Sequence, residues 1–273
     1  MPDTFEYFGG VDFSGAREPL ANLWTALGHG VDGRLRIVSL RPHAFRLDLA
    51  TFVANGWRPA ARAGADDGIL WGVDFACGVP ASAAPHLSSG PASWEASLAW
   101  IADRPADEVR DAIPEDQRGA RLTDSAAGSI PFDTRSYRQT VEGIRWLHQL
   151  REEHGIAVVP QEEVGRASTV IVEVSPTLTT LDLGLPRRRA PSRPGEHRAR
   201  AAALRTFLDF ENAELESIAV TLEDAWDAAL SCLTAWLVRD DLDQPFRTAP
   251  SGRDVLELEG WVYRAPAALE SGG

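Results

Sequence analysis

Lysine is missing altogether. All 27 basic residues are arginine, which excludes a lysine Schiff base, a pyridoxal-phosphate lysine and a P-loop lysine. Cysteine is scarce: Cys77 and Cys232 are the only two, too few for a disulfide framework and without metal-ligand spacing. They read as reduced, buried small residues of a cytoplasmic protein. The six histidines show no paired metal spacing and read as surface groups. No apolar run approaches the roughly 20 residues that span a bilayer. The start, Met1-Pro2-Asp3-Thr4, is acidic and lacks the basic and apolar regions of a signal peptide. No G-x-S-x-G nucleophile elbow occurs. No repeat of about 20 to 50 residues occurs, which excludes solenoids and propellers.

What is present is an acidic, apolar-rich chain. Forty Asp and Glu give the 273 residues a net charge of −13, and 44% of the chain is hydrophobic. That composition excludes disorder and a membrane protein. A chain this size buries about three quarters of its unfolded surface, so one domain over residues 1–273 is expected, with a disordered tail at 270–273. Net acidity argues against indiscriminate coating of nucleic acid. The charge is uneven, however. From Pro186 to Arg205 seven Arg and one Glu make a segment of +6, leaving −19 elsewhere. Guanidinium groups suit bidentate phosphate contacts. Arg187, Arg188 and Arg189 therefore read either as a phosphate clamp or as a solvated loop.

Short apolar runs bounded by Gly and Pro predict strands buried on both faces. They cover Phe5 to Phe13, Ile69 to Phe75, and Ser168 to Val174; Arg34 to Leu40 alternates and predicts a half-exposed strand. The first two end alike, in Gly10-Val11-Asp12-Phe13 and Gly72-Val73-Asp74-Phe75. Helices are expected over Phe45–Ala54, Trp94–Ile101, Ala106–Ala112, Thr134–His154, Glu196–Leu208 and Thr221–Val238. The last carries an apolar stripe, with Thr221 and Asp224 spaced as a capping box. Strands mixed with helices predict an α/β layered fold with a largely parallel sheet. The Pro- and Gly-rich stretch 80–131 reads as a helical and loop cap insertion.

Asp12, Asp74 and Glu173 each fall near the C-terminal end of an apolar strand, where open α/β sheets bind ligands. Buried carboxylates there need a proton, a hydrogen-bond donor or a cation. Lysine is unavailable and no arginine adjoins any of the three. Several convergent carboxylates suit Mg²⁺ or Mn²⁺. Asp224 and Asp227 share a helix face beside the apolar stripe and aim at the same strand ends. The bland alternative is that strand-end aspartates cap the next turn, and that Asp224 only completes the box with Thr221. Arg121 and Asp124 either touch substrate or hold the cap through an ion pair.

The ordered set Gly10-Val11-Asp12-Phe13-Ser14-Gly15, Gly72-Val73-Asp74-Phe75, Arg121-Leu122-Thr123-Asp124, Glu173-Val174-Ser175-Pro176-Thr177, Leu183-Gly184-Leu185-Pro186, Asp224 to Ala228 and Glu259-Gly260-Trp261 resembles the family catalogued as domain of unknown function 429. The likeness runs from about Phe8 to Pro266. It implies a ribonuclease-H-like five-stranded mixed sheet flanked by helices, and predicted nuclease activity. By position it implies Asp12, Asp74 and Asp227 as ligands of two Mg²⁺ or Mn²⁺ ions, with Glu173 and Asp224 as further members. The expected function is hydrolysis of phosphodiester bonds in nucleic acid, DNA or RNA, by a two-metal carboxylate mechanism. Ser14, Thr177 and Arg187 to Arg189 would contact phosphate. The rival expectations are an ATP-dependent phosphotransferase of the actin and sugar-kinase type, or a non-catalytic binding module on the same fold.

Overall fold

The computed structural model describes residues 5–16, 22–57, 68–124, 130–186, 194–248 and 252–266. Its centre is a mixed sheet built from β1 (Phe5–Asp12), β2 (Trp24–Val31), β3 (Arg34–Pro42), β4 (Gly68–Val73), β5 (Ala157–Val159), β6 (Thr169–Val174), β7 (Leu208–Phe210) and β8 (Val262–Tyr263). The strand order is β5-β6-β4-β1-β2-β3-β7, with β8 also paired to β6. β1 pairs antiparallel with β2, and β2 with β3; every other pairing is parallel.

Residue type explains the strands. β4 and β6 are buried at every position, as predominantly apolar sequences demand when helices cover both faces. β3 alternates between buried and open positions near its start because its side chains divide between core and edge. β2 went unpredicted. Its signal is Asp32-Gly33, a two-residue turn with φ of 51° and 77° joining β2 to β3, the geometry that matches hairpin twist. The sheet has eight described strands rather than five. β5, β7 and β8 span two or three residues each, too short for any periodicity to register.

Helices cover both faces. α1 (Arg46–Thr51) runs on into a π-helical turn over Phe52–Gly56. α2 (Trp94–Ala102) and α3 (Ala106–Ala112) pack on the long α4 (Tyr137–His154). α4 ends at Gly155 with φ of 63°, the left-handed cap that glycine takes without a Cβ penalty. Trp94, Leu98, Ile101 and Val109 share one buried cluster with Val141, Ile144, Trp146 and Leu147. The stretch 80–131 thus adds a helical layer to α4, with no strand among its described residues.

After β6 come α5 (Pro176–Asp182), α6 (Pro194–Leu204), α7 (Ala213–Thr221), α8 (Glu223–Val238), α9 (Gln244–Thr248) and α10 (Arg253–Glu259). Two expectations change here. Glu196–Leu208 is not one helix: α6 stops at Leu204, and Leu208 opens β7 beside β3. Thr221–Val238 is also broken, at Leu222, whose φ of −102° and ψ of 127° are extended. The break lets α7 pack on β3 while α8 lies across β1, β2 and β4. Thr221 closes α7, so the expected capping box with Asp224 does not form; Leu222 is the N-cap and gives no side-chain bond. No helix among the described residues is long and apolar enough to cross a membrane.

Candidate active site at the strand ends

Each letter of the repeated Gly-Val-Asp-Phe has its own position. A methyl group placed on Gly10 would lie 2.0 Å from the Ala228 carbonyl oxygen, and one on Gly72 2.4 Å from that of Ser231. Only glycine lets the α8 backbone rest directly on β1 and β4. Val11 and Val73 are fully buried in the cluster under α4, on the opposite face. Strand alternation then returns Asp12 to the α8 face. Val11 and Val73 are register partners, and the Asp74 N–H donates to the Val11 carbonyl at 3.2 Å. The two aspartates therefore end neighbouring parallel strands at one level. Both are half-buried.

α8 adds its own acidic residues to that end. Asp224, Asp227, Ala228 and Ser231 follow the three- and four-residue spacing of a single helix face, and Ala228 and Ser231 are the residues that meet the strand glycines. Asp227 is buried and Asp224 half-buried. Strand and helix direction thus place Asp12, Asp74, Asp224 and Asp227 toward the C-terminal ends of the central strands.

Glu173 belongs to a different arrangement. It is the register partner of Val73, so it projects to the α4 face. There Arg121 meets it through both terminal nitrogens, Nη1 donating to Oε2 at 2.7 Å and Nη2 to Oε1. The Cys77 N–H donates to Oε2 at 2.8 Å. The same guanidinium donates to Asp124, Nη2 to Oδ1 at 2.7 Å, and to the Glu259 carbonyl at 3.0 Å. Glu259 completes the knot by accepting from the Ala81 and Leu122 N–H groups at 2.7 and 2.8 Å. The Arg121 and Asp124 side chains are each 2% exposed, and Glu173 is 5%.

The knot bears on the sequence readings of Glu173, Arg121 and Asp124. Glu173 is paired with an arginine 52 residues away in sequence, which occupies both of its oxygens with charged hydrogen bonds. Of the two readings of Arg121 and Asp124, the ion pair is observed: they tie their segment to β6 and to the end of α10. Burial pushes the Glu173 carboxyl up, against the pull of Arg121. Burial, and then the Glu173 carboxylate, push the Cys77 thiol up as well, so Cys77 is no thiolate nucleophile.

Beside the knot lies a pocket of about 70 Å³, lined among others by Asp74, Arg121, Asp124, Gln139, Glu173 and Ser175. Asp12, Asp224, Asp227, Ser14 and Thr177 do not line it. Ser14 is half-buried after β1, where its Oγ accepts from the Ala16 N–H at 3.2 Å and Arg46 donates to its carbonyl at 2.9 Å. Thr177 is exposed in the first turn of α5. Arg187, Arg188, Arg189 and the tail 270–273 lie outside the described residues. Among the described residues no group of three or more His, Cys, Asp or Glu side chains stands close enough to hold a metal ion. The four-carboxylate centre with Glu173 as a member therefore does not fit this site. Gln139 sits in no motif and escaped the sequence reading; Glu259 stands in the Glu259-Gly260-Trp261 motif, but its role went unread, since both roles arise from contacts across more than 60 residues.

A family model described as protein of unknown function, DUF429, matches residues 10–250. No curated protein matches the chain, and no solved structure does.

Proposed function

We propose that this chain, which belongs to the DUF429 family, hydrolyses phosphodiester bonds in nucleic acid with the help of one divalent cation, Mg²⁺ or Mn²⁺. The observation that carries the reading is the level pair Asp12 and Asp74, joined by the Asp74 N–H to Val11 carbonyl bond of 3.2 Å. A pair suffices for Mg²⁺, which keeps several waters and is held by one or two carboxylates plus substrate phosphate oxygens. Asp12 and Asp74 are hard oxygen donors, half-buried at a strand edge where ligands bind. Such a cation supplies positive charge to the phosphate and a more acidic water.

The chain's own residues hold and orient. Asp12 and Asp74 would carry the cation, and Asp227, with Asp224 one turn earlier, would face it from α8. Ser14 and Thr177 would contact phosphate, as would Arg187 to Arg189, which lie outside the described residues. The ordering β3-β2-β1-β4-β6, antiparallel on one side of β1 and parallel on the other, supports a ribonuclease-H-like reading of the central sheet. Asp12→Asn should lower Mn²⁺-dependent cleavage of oligonucleotides, DNA and RNA alike, by more than about 100-fold. Its far-ultraviolet spectrum and melting temperature should stay close to wild type. Equal cleavage by the two proteins sinks the reading.

The Arg121–Glu173–Asp124 knot favours a second reading, a non-catalytic binding module in which acidic residues at this edge serve stability. On that reading Asp12→Asn raises the melting temperature by relieving like-charge repulsion, and no cleavage exists to lose.

A further inference from the structure

Phe13 and Phe75, the last letters of the two repeats, sit under α4. Their rings lie 4.8 Å apart between centroids, and each touches Trp146, at 5.6 and 6.0 Å. Both strand ends are thereby pinned to one helix through apolar contacts. The same helix also reaches them with a polar group. Gln139, near the start of α4, donates from its amide nitrogen to the Phe13 carbonyl at 2.9 Å and to the Asp74 carbonyl at 2.7 Å. The amide has two protons, and the two carbonyls use both.

The position of this bridge matters. β1 ends at Asp12 and β4 at Val73. Beyond the Asp74 N–H to Val11 carbonyl bond the two chains leave the sheet. Small residues follow in each, Ser14-Gly15-Ala16 and Ala76-Cys77-Gly78, and nothing in their own pattern keeps the ends together. Gln139 supplies a rung one step further, delivered from a helix whose Val141, Ile144 and Leu147 are fully buried. A cation that demands near-ideal geometry is sensitive to small changes in ligand separation.

We infer that Gln139 is a positioning residue for the divalent cation: its amide locks the ends of β1 and β4 at the spacing at which Asp12 and Asp74 share one ion. The inference rests on the function proposed above. Its test is Mn²⁺ titration of the full chain by calorimetry, beside the melting temperature of each variant. Wild type should bind and Asp12→Asn should not. Gln139→Met keeps the length and loses both donors; its affinity should fall about tenfold or more. Trp146→Phe loosens the same helix without touching the two carbonyls, and should stay within about threefold of wild type.

Gln139→Met binding as wild type, with Asp12→Asn silent, overturns the inference and leaves the function standing. Equal weakening in Gln139→Met and Trp146→Phe also overturns it, because general loosening then accounts for the effect. Equal binding by wild type and Asp12→Asn removes the function and the inference together. If Gln139→Met does not fold, Gln139→His, which keeps one donor, takes its place; a smaller weakening supports the inference and none overturns it.

Discussion

Glu173 and the pair Asp12 and Asp74 are the same chemistry at the same edge of one sheet, yet their surroundings are opposite. Glu173 sits one register step earlier, level with Val73, and that step turns it to the α4 face. There it is sealed with Asp124 beneath Arg121. Asp12 and Asp74, one residue further along, stay half-buried at the open edge. Side chains in a strand alternate with a period of two, so a single step decides which layer a residue enters. The lesson is that a carboxylate at a strand end is not yet a ligand. Its face determines whether it is sealed against an arginine or left half-buried at the strand edge.

The comparison can be broken most forcefully at Arg121. Arg121→Met leaves two buried carboxylates without their cation, a change that costs about 3–5 kcal/mol. Urea unfolding measures it; a loss below about 1 kcal/mol would mean that Glu173 does not depend on the pair. On the opposite face, Gly10→Ala drives a methyl group into the Ala228 carbonyl, which a built Cβ approaches to 2.0 Å. Overpacking of this kind costs about 1–3 kcal/mol. It should weaken Mn²⁺ binding while leaving the Arg121 knot intact, which separates the two faces.

Acid titration sharpens the contrast from a third position. His43 is buried and its Nε2 pairs with the Thr25 hydroxyl at 2.9 Å, so the expectation that all six histidines lie at the surface fails here. Burial, and then the charge of Arg41, lower its pKa to about 4. Because the folded value lies below the unfolded one, the stability His43 confers is full above about pH 6.5 and is lost as pH falls toward 4. By pH 5 the loss reaches about 2 kcal/mol. Glu173 works in the other direction, since a raised carboxyl takes up its proton more readily in the folded state. His43→Gln should flatten the acid limb in urea melts; an unchanged slope would assign it to carboxylates instead. The smallest effect is expected for Glu173→Gln on Mn²⁺ affinity, a change under about threefold. A loss as complete as that of Asp12→Asn would return Glu173 to the cation site.

Much of the fold was legible. Apolar runs at Phe5–Asp12, Gly68–Val73 and Thr169–Val174 specify strands buried on both faces, and Ala106–Ala112 is a helix at the predicted boundaries. Cys77 and Cys232 are buried and free, as their scarcity suggested. What escaped lacked a local signature. β5, β7 and β8 are too short to show a period. The break at Leu222 is invisible because the apolar stripe of α8 runs on from the buried Ala219 and Val220 of α7.

The site divides in the same way. Repetition of Gly-Val-Asp-Phe is a sequence fact, and the glycine, valine and phenylalanine each follow from packing against α8 or α4. The partnership of Arg121 with Glu173, and of Gln139 with Asp74, spans 52 and 65 residues. The amino-acid order alone fixed which residues are acidic and where strands end, because burial and hydrogen bonding within a strand are local. Only tertiary structure decided which carboxylate would be neutralised, because a guanidinium reaches its partner through space, and the chain path that brings it there is set by the whole core.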